Sequence, residues 1–234
     1  MKSPLVSAIV CAYNESKTIK PIIKTLIEHP RVDEAVVVDD GSTDKTLDRV
    51  NELKSDKLII VKHPKNMGKG AAVVDGVISS GGQTLLLIDA DLINFHPSHI
   101  DLLLAPLSID DSIMTIGVRK IGSVFEQNFR TLFRSFGGER AFSRKYIVPL
   151  LTRIKSSGYG VEAIVNLNHV HKGKNIVYVP LPRLVHRTKV EKHPIYRYIL
   201  DYLKENREVI QQYFDPKNKA LESFFKQIIK KLGE

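Results

Sequence analysis

Three short, almost unbroken apolar runs constrain this chain most: Leu5 to Ala12, Ala35 to Val38 and Thr84 to Ile88. Each is too short for a buried helix, and a strand apolar on both faces belongs inside a parallel sheet covered by helices on both sides. The intervening sequence supplies those helices. Ser16 is followed by Thr18, Ile19, Ile22, Ile23, Leu26 and Ile27, the spacing of an amphipathic helix. Asp40-Gly41-Ser42-Thr43 reads as a turn in which Ser42 or Thr43 caps a helix carrying Leu47, Val50 and Leu53. A strand from Leu58 to Val61, a loop from Asn66 to Gly70 and a small-residue helix from Ala71 complete the series. Four strands alternating with helices predict an α/β fold with a mostly parallel sheet flanked by helices.

After Pro97, which suits the first turn of a helix, the alternation loosens. A strand is expected over Ser112 to Val118, a helix over Phe125 to Phe136, a break at Gly137-Gly138, a helix over Val161 to His171 and a strand over Asn175 to Val179. Two amphipathic helices, Ile195 to Tyr213 and Ala220 to Leu232, follow. With 234 residues, 43% of them hydrophobic, the chain can bury one substantial core. The expected division is one domain over 1–190 and a basic helical extension over 191–234.

Parallel α/β sheets collect ligands beyond the carboxyl ends of their strands, where helix N-termini face outward. Asn14-Glu15, Asp39-Asp40 and Asp89-Ala90-Asp91 all fall there, joined by Lys69 in the glycine loop. Two carboxylates one residue apart at a strand end offer hard oxygen ligands for Mg²⁺ or Mn²⁺, which would bridge a diphosphate. Gly68-Lys69-Gly70 lacks the Ser or Thr and the earlier Gly of a P-loop, which argues against an ATPase. No Gly-x-Gly-x-x-Gly follows the first strand, which argues against a dinucleotide oxidoreductase.

Ile9-Val10-Cys11-Ala12-Tyr13-Asn14-Glu15, Val36-Val37-Val38-Asp39-Asp40-Gly41-Ser42-Thr43-Asp44, Asn66-Met67-Gly68-Lys69-Gly70-Ala71-Ala72 and Leu87-Ile88-Asp89-Ala90-Asp91 together resemble the family-2 glycosyltransferases of the GT-A fold. The resemblance implies a nucleotide-sugar half over about 1–107 and an acceptor half over about 108–190. It implies that Ala12, Tyr13, Asn14 and Glu15 line the nucleotide pocket and that Asp39 or Asp40 accepts a hydrogen bond from the base. Lys69 would neighbour base or phosphate, and Asp89, Ala90 and Asp91 would hold the metal and the sugar diphosphate.

The second half is similar to the retaining glucosyl-3-phosphoglycerate synthases at Gly137-Gly138-Glu139-Arg140-Ala141, Gly158-Tyr159-Gly160-Val161-Glu162 and Val185-His186-Arg187. That similarity implies an acceptor loop over Gly137, Gly138, Glu139, Arg140 and Ala141, a donor-sugar contact from Glu162, and His186 as a metal ligand with Asp89 and Asp91. Glu162, Asp91 and Arg140 become the candidate catalytic residues. Inverting relatives carry a catalytic Asp in an acidic pair in this region, whereas no Asp-Asp or Glu-Asp pair occurs between Gly137 and His193.

Lys and Arg total 35 against 26 Asp and Glu, so the net charge is +9 and a polyanionic partner is expected. Nucleic acid is disfavoured, because no Arg-rich or aromatic platform motif is present. Sugar nucleotidyltransferases are the nearest enzymatic alternative, but Ala12-Tyr13-Asn14-Glu15 stands where they carry a Gly-rich arginine loop. A UDP- or GDP-sugar donor and a phosphorylated acceptor, either phosphoglycerate-like or a polyprenyl phosphate, fit the charge. Arg140, near Arg144 and Lys145, suits an anionic acceptor group. Residues 217–234 place Leu221, Phe224, Phe225, Ile228, Ile229 and Leu232 on one helical face with lysines around it, a pattern suited to an anionic membrane, the chain's own domain or a second subunit. No apolar run reaches the roughly 20 residues of a membrane span, no secretory signal pattern begins the chain, and a single cysteine allows no internal disulfide. A cytoplasmic protein, peripheral at the inner membrane face, is the expectation.

Overall fold

The four apolar segments form parallel strands β1 (Val6–Ala12), β2 (Glu34–Asp39), β3 (Leu58–Lys62) and β4 (Thr84–Asp89), hydrogen-bonded in the order β3-β2-β1-β4. Helices α1 (Ile19–Glu28), α2 (Thr46–Asn51) and α3 (Lys69–Ser79) occupy the connections. The computed structural model describes residues 5–118, 138–156 and 161–186, all within the compact unit Met1–Thr188. The helices expected over Phe125 to Phe136, Ile195 to Tyr213 and Ala220 to Leu232, and with them the extension over 191–234, lie outside the described residues.

Strand and helix fit one another through residue size. Ile19, Ile22, Ile23 and Leu26 are buried on one face of α1, each contributing about 1.5–3 kcal/mol of apolar transfer. On α3 the buried face is small, Gly70, Ala71, Ala72 and Gly76 among it. A Cβ at Gly76 would lie 2.6 Å from Ile9 Cγ2, so the helix backbone rests directly on β1. Ser42 and Thr43 do not cap α2. Ser42 Oγ instead accepts from the Asn14 amide at 3.0 Å, and Asp44 Oδ1 accepts from the Thr46 amide at 2.9 Å, which ties the two strand-end loops together.

Beyond β4 come the short strand β5 (Leu92–Ile93), helix α4 (Pro97–Ile109), β6 (Met114–Val118), β7 (Arg140–Ser143), α5 (Leu151–Lys155), α6 (Val161–His171), β8 (Ile176–Pro180) and β9 (Val185–His186). The seven-stranded sheet runs β3-β2-β1-β4-β7-β6-β8, with β7 antiparallel to both neighbours. The sequence reading misses β7, whose four residues begin with an arginine and carry no alternating pattern. Two further strands, β5 and β9, pair antiparallel and set His186 opposite Leu92, one residue from Asp91. This pairing carries the last described strand back to the carboxyl end of β4.

Candidate functional site

The site forms where strand order reverses. β1 lies between β2 and β4, with Ala12 in register with Asp39 and Cys11 with Asp89, so both acidic strand ends meet at one crevice. Asp89 ends β4, and Ala90 and Asp91 form the turn that leads into β5. Ala90 is 4% exposed in the core, and its carbonyl accepts from Thr18 Oγ1 at 2.7 Å, while the two carboxylates flank it.

Asp89, Asp91 and His186 bring ligand atoms within 4.8 Å of one another. His186 Nδ1 lies 2.6 Å from Asp91 Oδ1, and Nε2 lies 3.0 Å from Glu139 Oε1 and 3.8 Å from Asp89 Oδ2. Burial would lower the imidazole pKa, but the hydrogen bonds to Asp91 and Glu139 and the charges of Glu139 and Asp89 raise it to about 9. Beside this cluster, Lys69 Nζ bridges Asp89 Oδ1 at 3.0 Å and Glu162 Oε1 at 2.6 Å. Burial opposes its charge, yet the two carboxylates outweigh burial and hold the ammonium well above the ordinary lysine range. Cys11, beneath them on β1, is an inert thiol: desolvation, with Asp89, Asp40 and Glu162 adding to it against Lys69, pushes it up to about 12.

The cluster suits a divalent cation. Two carboxylates and an imidazole nitrogen converge, and excess negative charge holds a proton on His186 well above its usual range. The Gly138 backbone packs directly against the Asp89 carboxylate, since a Cβ there would overlap it.

Residues 7–159 match the family model for glycosyl transferase family 2. The chain belongs to that family. It is 40% identical over 94 residues to a dolichyl-phosphate beta-glucosyltransferase of Trichomonas vaginalis, covering 36% of this chain and 28% of that one. It is 30% identical over 119 residues to a glucosyl-3-phosphoglycerate synthase of Mycobacterium tuberculosis, 47% of this chain and 36% of the relative. The chain thus spans about a third of the length of these curated relatives. A crystal structure of the Mycobacterium tuberculosis synthase with Mn²⁺, uridine-diphosphate-glucose and phosphoglyceric acid superposes with a TM-score of 0.66 at 25% identity, covering 87% of this chain and 80% of that chain. The fold is therefore GT-A.

Within this family-2 domain, Asp39 and Asp40 separate into two roles that the sequence leaves open. Asp40 accepts from the amides of Met67 at 2.8 Å and Gly68 at 2.9 Å, and its Oδ1 also lies 2.7 Å from His63 Nδ1. His63, 4% exposed, reaches Asp75 Oδ2 with its other nitrogen at 3.0 Å. This chain of contacts from α3 to the end of β2 fixes the Met67-Gly68 turn that leads into Lys69, and no sequence pattern marks His63 for that role. Asp39, 1% exposed, accepts from the Ser42 amide with Oδ1, while its Oδ2 has no hydrogen-bond partner among the described residues.

Several of the expected site residues have partners of their own within the fold. Asn14 does not face the crevice with a free amide: its Oδ1 accepts from Thr43 N at 2.9 Å and Asp44 N at 3.3 Å, and its φ of 59° is a left-handed turn. Ala12 is 2% exposed and packs in the core, whereas Tyr13, at 44%, is open. Glu139, Arg140 and Ala141 are 0%, 1% and 0% exposed: Arg140 and Ala141 lie in the interior strand β7, and Glu139 immediately precedes it. Arg140 Nη1 donates to Asn166 Oδ1 at 2.7 Å and to the Glu162 carbonyl at 3.3 Å, so it braces the start of α6 instead of offering a fork to an acceptor. Arg144 likewise turns inward, donating to the carbonyls of Val77, Ser80 and Gly82. Gly137 lies outside the described residues.

Proposed function

We propose that this chain transfers a hexosyl group from a nucleoside-diphosphate sugar, UDP-glucose being the first to test, to a phosphorylated acceptor, with Mg²⁺ or Mn²⁺ and with retention at the anomeric carbon. The observation that carries this reading is the joining of two charge clusters, Asp89-Asp91-His186 and Lys69-Glu162, at the carboxyl ends of parallel strands. The C1–O bond to the diphosphate breaks, a C1–O bond to the acceptor forms, the acceptor loses a proton and the nucleoside diphosphate leaves. Asp89, Asp91 and His186 would hold the cation, which supplies neutralisation of charge on the leaving diphosphate. Lys69 keeps Glu162 oriented at the rim of the crevice and places a permanent positive charge beside Asp89. Retention is supported by the missing acidic pair between Gly137 and His193.

A phosphorylated acceptor is supported by the net charge of +9 and by the names of the relatives, whose acceptors are a phosphoglycerate and a dolichyl phosphate. Among the described residues, no helix is long and apolar enough to cross a membrane. The experiment is a transfer assay with labelled UDP-glucose and Mn²⁺ against 3-phosphoglycerate, a polyprenyl phosphate in liposomes and an uncharged saccharide, repeated after deletion of residues 217–234. Activity on phosphoglycerate that survives deletion identifies a soluble acceptor, whereas activity and liposome binding lost together identify a lipid one. A monomeric product of that deletion from a dimeric parent would assign the segment to a second subunit. Efficient transfer only to the uncharged saccharide overturns the acceptor reading.

Asp39 gives a separate check on the donor side. Its unpartnered oxygen suits an N–H of the base, a contact made equally in ground and transition states. Asp39→Ala is expected to raise the donor KM about tenfold with kcat within about twofold, as loss of one hydrogen bond to a charged group. Steady-state kinetics read the split, and a defect in kcat alone contradicts a base contact.

A further inference from the structure

Glu139 stands at the head of β7 as a fully buried carboxylate for which the donor reading has no task. Its backbone is fixed, since the Glu139 carbonyl accepts from the Gly117 amide at 2.8 Å. Its Oε1 meets His186 Nε2 at 3.0 Å, while the opposite ring nitrogen, Nδ1, faces Asp91 at 2.6 Å. His186 is itself 3% exposed and held by the β5–β9 pairing.

A neutral imidazole carries a proton on one nitrogen and a lone pair on the other, and the partner of the protonated nitrogen decides which is which. Each ring nitrogen of His186 faces a carboxylate, Asp91 on Nδ1 and Glu139 on Nε2, and a cation bound at Nδ1 beside Asp91 would displace the proton from that nitrogen and leave Nε2–H to Glu139. Glu139 sits behind the ring, because its side chain is 0% exposed whereas those of Asp89 and Asp91 are 20% and 17% exposed. A cation that also takes oxygens from a bound diphosphate must lie on the accessible side, with Asp89 and Asp91.

We propose that Glu139 is a positioning residue for the divalent cation, fixing His186 in the tautomer whose Nδ1 is the ligand and adding a buried negative charge behind it. The inference rests on the cation-binding reading above. Such outer carboxylates on metal-bound histidines make about a 10–100-fold difference in metal affinity.

The test is Mn²⁺ titration of the full chain without nucleotide sugar, with free Mn²⁺ followed by its electron paramagnetic resonance signal. Glu139→Ala, which removes acceptor and charge, is expected to weaken Mn²⁺ binding about 10–100-fold, and Glu139→Gln, which keeps the shape and an acceptor oxygen, by a smaller factor. Far-UV circular dichroism checks folding, and the glutamine variant carries the test if the alanine variant does not fold. In the Mg²⁺-loaded protein, ¹⁵N spectra of His186 are expected to show the ring proton on Nε2. Unchanged Mn²⁺ affinity in the variants, or a ring proton on Nδ1, overturns the proposal and leaves the cation site standing. Loss in Glu139→Gln as complete as in Asp91→Ala makes Glu139 a direct ligand and also overturns it. Failure of the wild-type chain to bind Mn²⁺ removes the cation reading and this inference together.

Discussion

Replacing Asp91 by alanine is expected to lower kcat/KM for sugar transfer by about three orders of magnitude, equivalent to about 4 kcal/mol of transition-state stabilisation. Asp91 is one of three groups whose ligand atoms converge, and it also holds His186 Nδ1 at 2.6 Å. Its removal takes away one ligand and loosens a second. The fold should survive, because Asp91 is 17% exposed at a strand end and His186 keeps Glu139 at 3.0 Å. The cost in metal-free stability is about 1–3 kcal/mol, the range for a lost hydrogen bond to a charged group. Initial rates in excess Mn²⁺ and thermal melts in chelator separate the two effects. Near-normal turnover of Asp91→Ala in excess Mn²⁺ would remove the metal role from this residue.

Gly138→Ala is the second large effect, and it comes from a single methyl group. A Cβ at position 138 would overlap the Asp89 carboxylate, which cannot give way freely because Lys69 holds it at 3.0 Å and the β1–β4 register fixes its backbone. The carboxylate has to leave the position from which it faces Lys69 and His186. A loss of about 100-fold in kcat/KM, about 2.7 kcal/mol, is expected, accompanied by weaker Mn²⁺ binding. Because the damage acts through Asp89, it should not add to the loss already caused by Asp89→Ala, and a double-mutant cycle reads that coupling directly. Full activity in Gly138→Ala, or losses that simply add, would show that the position 138 backbone does not govern Asp89.

The two variants also separate what is written locally from what is assembled at distance. Asp91 is visible in the sequence because an Asp-x-Asp after an apolar run is a local pattern with a local cause: the strand ends at Asp89, and the turn that follows buries Ala90 and leaves both acids flanking it. Gly138 is visible only as half of a Gly-Gly break. Its purpose depends on β7 entering the sheet antiparallel beside β4, a pairing between segments more than fifty residues apart. Arg140 shows the same division in reverse. Its charge and its place after two glycines suggest an anion contact, yet an interior strand turns it onto Asn166 and the Glu162 carbonyl.

What the sequence determined by itself is the β-α series, the parallel order it forces, and the gathering of Asp39, Asp40, Lys69, Asp89 and Asp91 at one edge. Those follow from period-2 and period-3.6 apolar patterns and from the direction of right-handed crossovers, which are short-range properties. Only the tertiary structure decided that Asp40 is engaged by His63 and a loop while Asp39 keeps an open oxygen, that Asn14 clamps the loop at Thr43 and Asp44, and that Glu139 stands behind His186. Each of these depends on which buried polar group finds which partner. That choice is made by strand register and burial over separations such as the 95 residues between Asp91 and His186, where sequence spacing carries no signal.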